Sequence, residues 1–181
     1  MIGSAIALGL ASAAVAVPDD YSIADVRFDI SDNAVLGPLR AGLLCLPAGK
    51  VRWKDLTRPD ASTVIPDLHR KLAADSLRVE AGGDPIFADP APPTRYRLRV
   101  TVVNATLKLC KPGPPIGPQI YKGTGSLTIV WETFDRQARE TVLRNEFVVP
   151  LVIENGGARS DASPTLAALK RSAGLYAATR R

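Results

Sequence analysis

The sequence predicts an α+β domain: a single mixed, mainly antiparallel sheet of about five strands with two helices packed on one of its faces. Three observations carry that expectation. The stretches "RYRLRVTVV" and "SLTIVWETF" alternate apolar and polar residues with the period of two that a half-buried strand requires. Two other stretches place apolar residues at helical spacing, and the strands cluster between them where a parallel α/β fold would alternate strand and helix throughout. The prolines and glycines fall mostly in the connections.

Taken in order, "MIGSAIALGLASAAVAVPDD" has no charged side chain before Asp19 and ends its apolar run in Ala14-Val15-Ala16. This small-x-small pattern reads as a signal peptide over residues 1–16, even though its start lacks the usual Lys or Arg. The run is shorter than the roughly 20 apolar residues a membrane helix needs. Residues 17–181 are then expected to form one periplasmic α+β domain, of a size that buries about 70% of its unfolded surface. "ADVRFDIS" alternates Val26, Phe28 and Ile30 against Arg27 and Asp29, a first strand. Residues 32–59 keep no period and contain Gly37-Pro38, Pro47 and Gly49, so they read as a long ordered connection pinned by Cys45 and anchored by Trp53.

From Ser62 to Ser76, Val64, Ile65, Leu68 and Leu72 share a helical face, with Pro66 expected in the first turn. "SLRVEAGGDP" reads as a short strand and "DPIFADPAPPT" as a proline-rich loop. The strongest strand follows, with Tyr96, Leu98, Val100 and Val102 on one face and Arg95, Arg97, Arg99 and Thr101 on the other, closing at Cys110. Beyond the loop "KPGPPIGPQ", Leu127, Ile129 and Trp131 alternate along another strand, and "DRQAR" turns the chain back into "ETVLRNEFVVPLVIE". Pro150 marks an edge or bulge there. Ser163 as N-cap and Pro164 at the first position open a last helix with Leu166, Leu169, Ala173 and Tyr176 in one stripe. Arg180 and Arg181 suit the negative end of its dipole.

Lys and Arg number 23 against 18 Asp and Glu, a net charge of +5 that favours acidic partners. No basic cluster is interleaved with stacking aromatics, so a nucleic-acid partner is not expected. The only cysteines, Cys45 and Cys110, stand in "CLPAGK" and "CKPGPP", each followed by a proline and a glycine. In an exported protein the pair reads as a disulfide joining two loops at one end of the sheet. Two unpaired buried thiols are an alternative, as is a metal site, for which two cysteines without nearby histidines are too few ligands.

The segments "GLLCLPAGKVRWKDL", "GTGSLTIVWETFDRQARETVLRNEF" and "ASPTLAALKRSAGLYA" together resemble poorly characterised exported bacterial α+β domains, some fused to trypsin-like peptidases. The strand order is also similar to the N-terminal domain of TolB and to the auxiliary lipoproteins of ABC transporters. The hairpin with its small-residue helix carries the likeness, over about a third of the chain. The chain departs from the lipoproteins in having no lipid-accepting cysteine and from the peptidases in ending soon after the last helix. The resemblance implies a periplasmic scaffold or interaction role.

Candidate chemistry is sparse. The single histidine, His69, sits beside Arg70 and Lys71 and reads as a solvated helix position, with no Gly-x-Ser-x-Gly elbow elsewhere. Glu132, Glu140 and Glu146 read as partners for sheet arginines, and the glycines of "KGTGS" precede a strand where a phosphate cradle would precede a helix. Asn104-Ala105-Thr106 matches a glycosylation sequon on a strand. The best polar constellation is Arg95, Arg97 and Arg99, which could grip phosphate or carboxylate, or pair with Glu132, Asp135 or Glu146 across the sheet. Pro112, Pro114, Pro115 and Pro118 form either a polyproline ligand for a partner or a stiff connector. No catalytic residue, metal or cofactor is expected. The expected function is a non-enzymatic periplasmic interaction or accessory module of an envelope assembly or exported enzyme, with an envelope protein as partner. The alternative is binding of an anionic lipid headgroup or cell-wall carboxylate through the arginine face.

Overall fold

The computed structural model describes residues 20–56, 59–75, 77, 79, 94–112, 121–153 and 163–180. The expected signal peptide therefore lies outside the described residues, as does most of the short strand expected after the first helix. Of that strand, Val79 makes one parallel bridge to Tyr21. The elements are β1 (Tyr21–Phe28), β2 (Val35–Ala41), β3 (Leu46–Arg52), a 3-10 turn (Trp53–Asp55), α1 (Ala61–Ala74), β4 (Tyr96–Lys111), β5 (Lys122–Asp135), β6 (Glu140–Ile153) and α2 (Pro164–Ala178). The fold is α+β, with one mixed sheet of six strands where about five were expected.

The long strand β4 organises the sheet. β5 and β6 follow it as antiparallel neighbours. Along its other edge β1 and β2 come one after the other, both parallel to β4. β1 runs from Tyr21 opposite Tyr96 to Phe28 opposite Val102, and β2 from Leu39 opposite Leu109 to Ala41 opposite Lys111. β3 pairs outside β2. A register shift between Val102 and Asn104 resets the alternation of β4. Leu98, Val100 and Val102 point into the core before it, and Ala105, Leu107 and Leu109 after it. One strand thus keeps a buried face along its whole length because a bulge absorbs the extra residue.

The β2–β3 hairpin corrects the expectation of an irregular connection over residues 32–59. Its pairing is interrupted twice, between Val35 and Gly37 and between Leu39 and Arg40. β3 is exposed at every position except Val51, so it has no alternation to read. Trp53 anchors the far end as expected, fully buried with its ring 5.9 Å from that of Phe28.

Both helices lie on the same side of the sheet, α1 against β1 and α2 against β5 and β6, with contacts between the two helices. Val64, Leu68 and Leu72 of α1 are fully buried, and its N-cap Asp60 accepts a hydrogen bond from the Ser62 N–H at 3.3 Å. Pro66 is not in the first turn: the helix starts at Ala61, so the proline removes the bond its N–H would donate to the Ser62 carbonyl, at an exposed position. His69 is not solvated either. It is only 9% exposed, and its Nε2 accepts a hydrogen bond from the Ile23 N–H at 3.3 Å, beside the register shift of β1 between Ile23 and Asp25.

In α2, Leu169, Ala173 and Tyr176 form the expected buried stripe. Pro164 stands at the start of the helix, but the Ser163 hydroxyl makes no capping bond. The Tyr176 ring stacks on Trp131 with centroids 4.9 Å apart, its hydroxyl meets that of Thr133 at 2.7 Å, and the Trp131 Nε1–H donates to Ser172 Oγ at 3.0 Å. Every polar atom brought into this contact is satisfied, which removes the penalty for burying it. Burial pushes the Tyr176 phenol above its ordinary pKa. Lys170 of α2 bonds Asp67 of α1 at 2.6 Å and is the main reason the Asp67 carboxyl titrates below its usual range.

Candidate functional site: the open sheet face and its two ends

With both helices on one side, the other face of the sheet carries the alternate residues of β4, β5 and β6, and its two ends differ in chemistry. The first end holds the arginines. Arg95 immediately precedes β4 and reaches across to the turn that joins β5 to β6. Its Nε and Nη2 lie 3.1 Å and 3.0 Å from Asp135 Oδ2, and its guanidinium sits 4.8 Å from the centre of the Tyr96 ring. The other oxygen of Asp135 accepts from the N–H groups of Gln137 (2.7 Å) and Ala138 (3.2 Å), which shapes the turn over Arg136–Arg139. Burial pushes the Asp135 carboxyl up, but these two amides and the guanidinium outweigh it and hold it below the ordinary value of 3.8. Arg95 is therefore a structural latch.

Arg99 stands 3.8 Å from Glu132, which also receives Arg144 at 3.4 Å. Among the described residues Arg97 forms no ion pair. The structure thus keeps Arg97 and Arg99 on the open face but draws Arg95 round the end of the strand to Tyr96 and Asp135, which belong to the helix-covered face. It engages Arg95 and Arg99 with carboxylates of β5. Beside them a concavity of about 560 Å³ is lined by Arg27, Asp29, Arg99, Val130, Glu132 and Arg144. Its cations and carboxylates largely neutralise one another.

The second end is built around the disulfide. Cys45 and Cys110 are bonded, with Cα atoms 5.6 Å apart and 65 residues between them in sequence. Cys45 closes the turn after β2 with a φ of 48°, in the left-handed region a non-glycine residue seldom occupies, and Gly42 opens the turn at 77°. Cys110 is the penultimate residue of β4, directly opposite Arg40. The bond therefore ties a hairpin tip to the end of the central strand, where two loops were expected. Closing a loop of this length restricts the unfolded chain by about 4 kcal/mol.

Around the disulfide a second concavity of about 740 Å³ is lined by Arg40, Cys45, Lys108, Cys110, Lys122 and Val152 among others. The glycines of "KGTGS" lie within β5 and not ahead of it. A Cβ on Gly125 would meet the Thr106 carbonyl oxygen at 1.9 Å, so glycine lets β5 close on β4 here.

Sequence reasoning missed the apolar tip of the same hairpin. Leu43, Leu44 and Leu46 are 92%, 82% and 61% exposed. Of the proline-loop candidates, Pro112 follows β4 and is half-buried, whereas Pro114, Pro115 and Pro118 lie outside the described residues. Asn104 of the sequon turns its Oδ1 to the neighbouring Ala105 N–H at 2.9 Å. Among the described residues no group of three or more His, Cys, Asp and Glu side chains is placed to hold a metal ion. No helix among them is long and apolar enough to cross a membrane.

No family model matches the chain, and no curated protein matches it. Solved structures do. A Xanthomonas campestris protein of the DUF330 group matches at 12% identity and a TM-score of 0.41, over 92% of this chain and 87% of its own. An uncharacterised Chlamydia trachomatis protein matches at 11% identity and a TM-score of 0.41, over 88% and 95%.

Proposed function

We propose that this protein is a non-enzymatic interaction module of the bacterial envelope, acting as an accessory to an assembly or to an exported enzyme. The observation that carries the reading is the sheet face that no helix among the described residues covers. Its outer strand β6 presents Val148 and Val152 to solvent on the side away from the helices, Val148 on the same face as Val130 of the arginine concavity and Val152 at the disulfide concavity. An apolar strip on an edge strand, flanked by fixed charges, suits the docking of another protein. The disulfide is in keeping with an oxidising compartment. Auxiliary lipoproteins of ABC transporters, which the strand order resembles, are one form such a module takes. The reading of Arg95, Arg97 and Arg99 as a grip for an anionic ligand is left with Arg97 as its one cation outside an ion pair among the described residues.

The test is photocrosslinking in living cells from a benzophenone amino acid at Val148, with the same probe at Ala167 on the exposed side of α2 as control. A discrete envelope protein captured from Val148 and not from Ala167 is the expected result. Equal capture from both positions, or fractionation of the protein to the cytoplasm with two alkylatable thiols, would sink the reading.

A further inference from the structure

The three exposed leucines of the β2–β3 turn have no role in the fold, and their surroundings indicate what they meet. Arg40 stands one residue before Ala41 at the end of β2 and is paired with Cys110. Lys111 is opposite Ala41, Lys122 is opposite Cys110, and Lys108 lies two residues further back on β4. Lys50 sits on β3 opposite Pro38. None of these five cations forms an ion pair among the described residues. The strand segments that carry them, Val35–Arg52, Asn104–Lys111 and Lys122–Trp131, contain no Asp or Glu. An apolar projection inside an unneutralised ring of cations combines the two attractions by which a peripheral protein binds an anionic bilayer.

We propose that the disulfide-pinned turn is a membrane-docking tip. It seats Leu43, Leu44 and Leu46 at the boundary between headgroups and acyl chains, while Arg40, Lys108, Lys111 and Lys122 meet lipid phosphates. Two backbone bonds brace the turn. The Gly42 N–H donates to the Lys111 carbonyl at 2.9 Å and the Cys45 N–H to the Gly42 carbonyl at 3.0 Å. The bond to Cys110 holds the tip in one shape, so little conformational freedom is lost on insertion. Long basic side chains let the strand ends approach the surface while their charges stay at headgroup level.

A protein partner fits this end less well. A stable protein interface takes about 800 Å² from each partner with complementary shape, whereas here three side chains project convexly from a narrow turn. The inference concerns the hairpin tip and not Val148, where the crosslinking test of the proposed function is placed, so the two can fail separately.

The experiment is flotation of the oxidised protein with vesicles of phosphatidylglycerol and phosphatidylethanolamine, compared with vesicles of phosphatidylcholine alone. Binding to the anionic vesicles that weakens as salt rises is expected. Leu43→Ser and Leu44→Ser should each lower the partition coefficient about tenfold. Lys108→Glu with Lys122→Glu should abolish the preference for anionic lipid. A Leu44→Trp reporter should shift its emission to the blue on vesicles. All these positions are exposed, so unchanged melting temperatures will certify folding. Serine variants that bind as well as the parent would overturn the proposal, as would equal binding to the two vesicle types. Concentration-dependent self-association abolished by Leu43→Ser would overturn it too, by assigning the leucines to a second copy of the chain.

Discussion

The two ends of β4 are held by different means. Around Tyr96–Val102 the strand has β1 on one side, β5 on the other and helices above, and two of its three arginines are matched by carboxylates of β5. Around Ala105–Lys111 the neighbours are an outer hairpin with a broken register and a glycine-bearing stretch of β5. The charges on the described strands at this end are all positive, and a disulfide fastens the hairpin tip to β4. The contrast teaches that a surface can be left unneutralised and apolar where a disulfide, in place of ion pairs, reinforces a packed strand. Residues at the first end are constrained by the fold, while those at the second are free to serve a partner.

Breaking the disulfide should give the largest effect. Cys45→Ser with Cys110→Ser is expected to cost about 4 kcal/mol in urea unfolding. Near-ultraviolet signals from Trp131 and Tyr176 should persist, because that stack lies under α2 and away from the hairpin. Loss of those signals together with the hairpin would show that the two ends do not behave separately. Non-reducing intact mass after alkylation checks the premise, with no thiol available to the reagent.

A smaller effect at the helix-covered end is expected from His69→Leu. The leucine fills similar space but leaves the Ile23 N–H without its side-chain acceptor, at a cost of about 1–3 kcal/mol. Hydrogen exchange should then accelerate at Ile23 and not in the β2–β3 hairpin. Unchanged exchange at Ile23 would mean that the histidine does not anchor β1.

The charge pairing of the first end can be tested by pH. The carboxyl of Asp135 is held below 3.8 in the folded protein, so its contribution is fully present above the unfolded value and is lost as pH falls through the lower folded value. Asp135→Asn should therefore lower the urea midpoint at neutral pH, and its difference from the parent should shrink as pH drops below about 4. A difference independent of pH would assign the effect to the turn amides alone. The disulfide end, without carboxylates in its described strands, should contribute nothing to this pH dependence.

The long period-two strands were legible because each buries one face, and Trp131, Leu127 and Ile129 announce that face directly. The β2–β3 hairpin was not, because two register shifts, Pro38, Pro47 and a nearly fully exposed β3 remove any alternation. His69 was misread although a signal was present. It follows Ile65 by four residues and precedes Leu72 by three, which puts it on the flank of the buried stripe. The leucine tip also had a signal: three leucines within four positions between Gly42 and Pro47, beside a cysteine, cannot all face a core from a tight turn. Which arginines are paired depends on the register of β4 against β5, and no single strand records that.

The smallest predicted effect separates the three arginines. Arg97 points to the open face from the middle of the stripe, exposed and outside any ion pair among the described residues. Its replacement by serine should move stability by less than about 0.5 kcal/mol, the usual range for a surface position. Arg99→Ser removes one of two cations from Glu132, which Arg144 still covers, and exposed pairs of this kind are worth about 0–1 kcal/mol. Arg95→Ser should stand apart, because Asp135 is only 4% exposed and would keep its two turn amides but lose its guanidinium. The ordering Arg95, then Arg99, then Arg97, measured by urea midpoints of the three single variants at neutral pH, follows from the pairing alone. Three equal losses would mean that the stripe acts as a unit. An Arg97 variant as unstable as the Arg95 variant would mean that the first end of β4 relies on a contact other than the latch to Asp135.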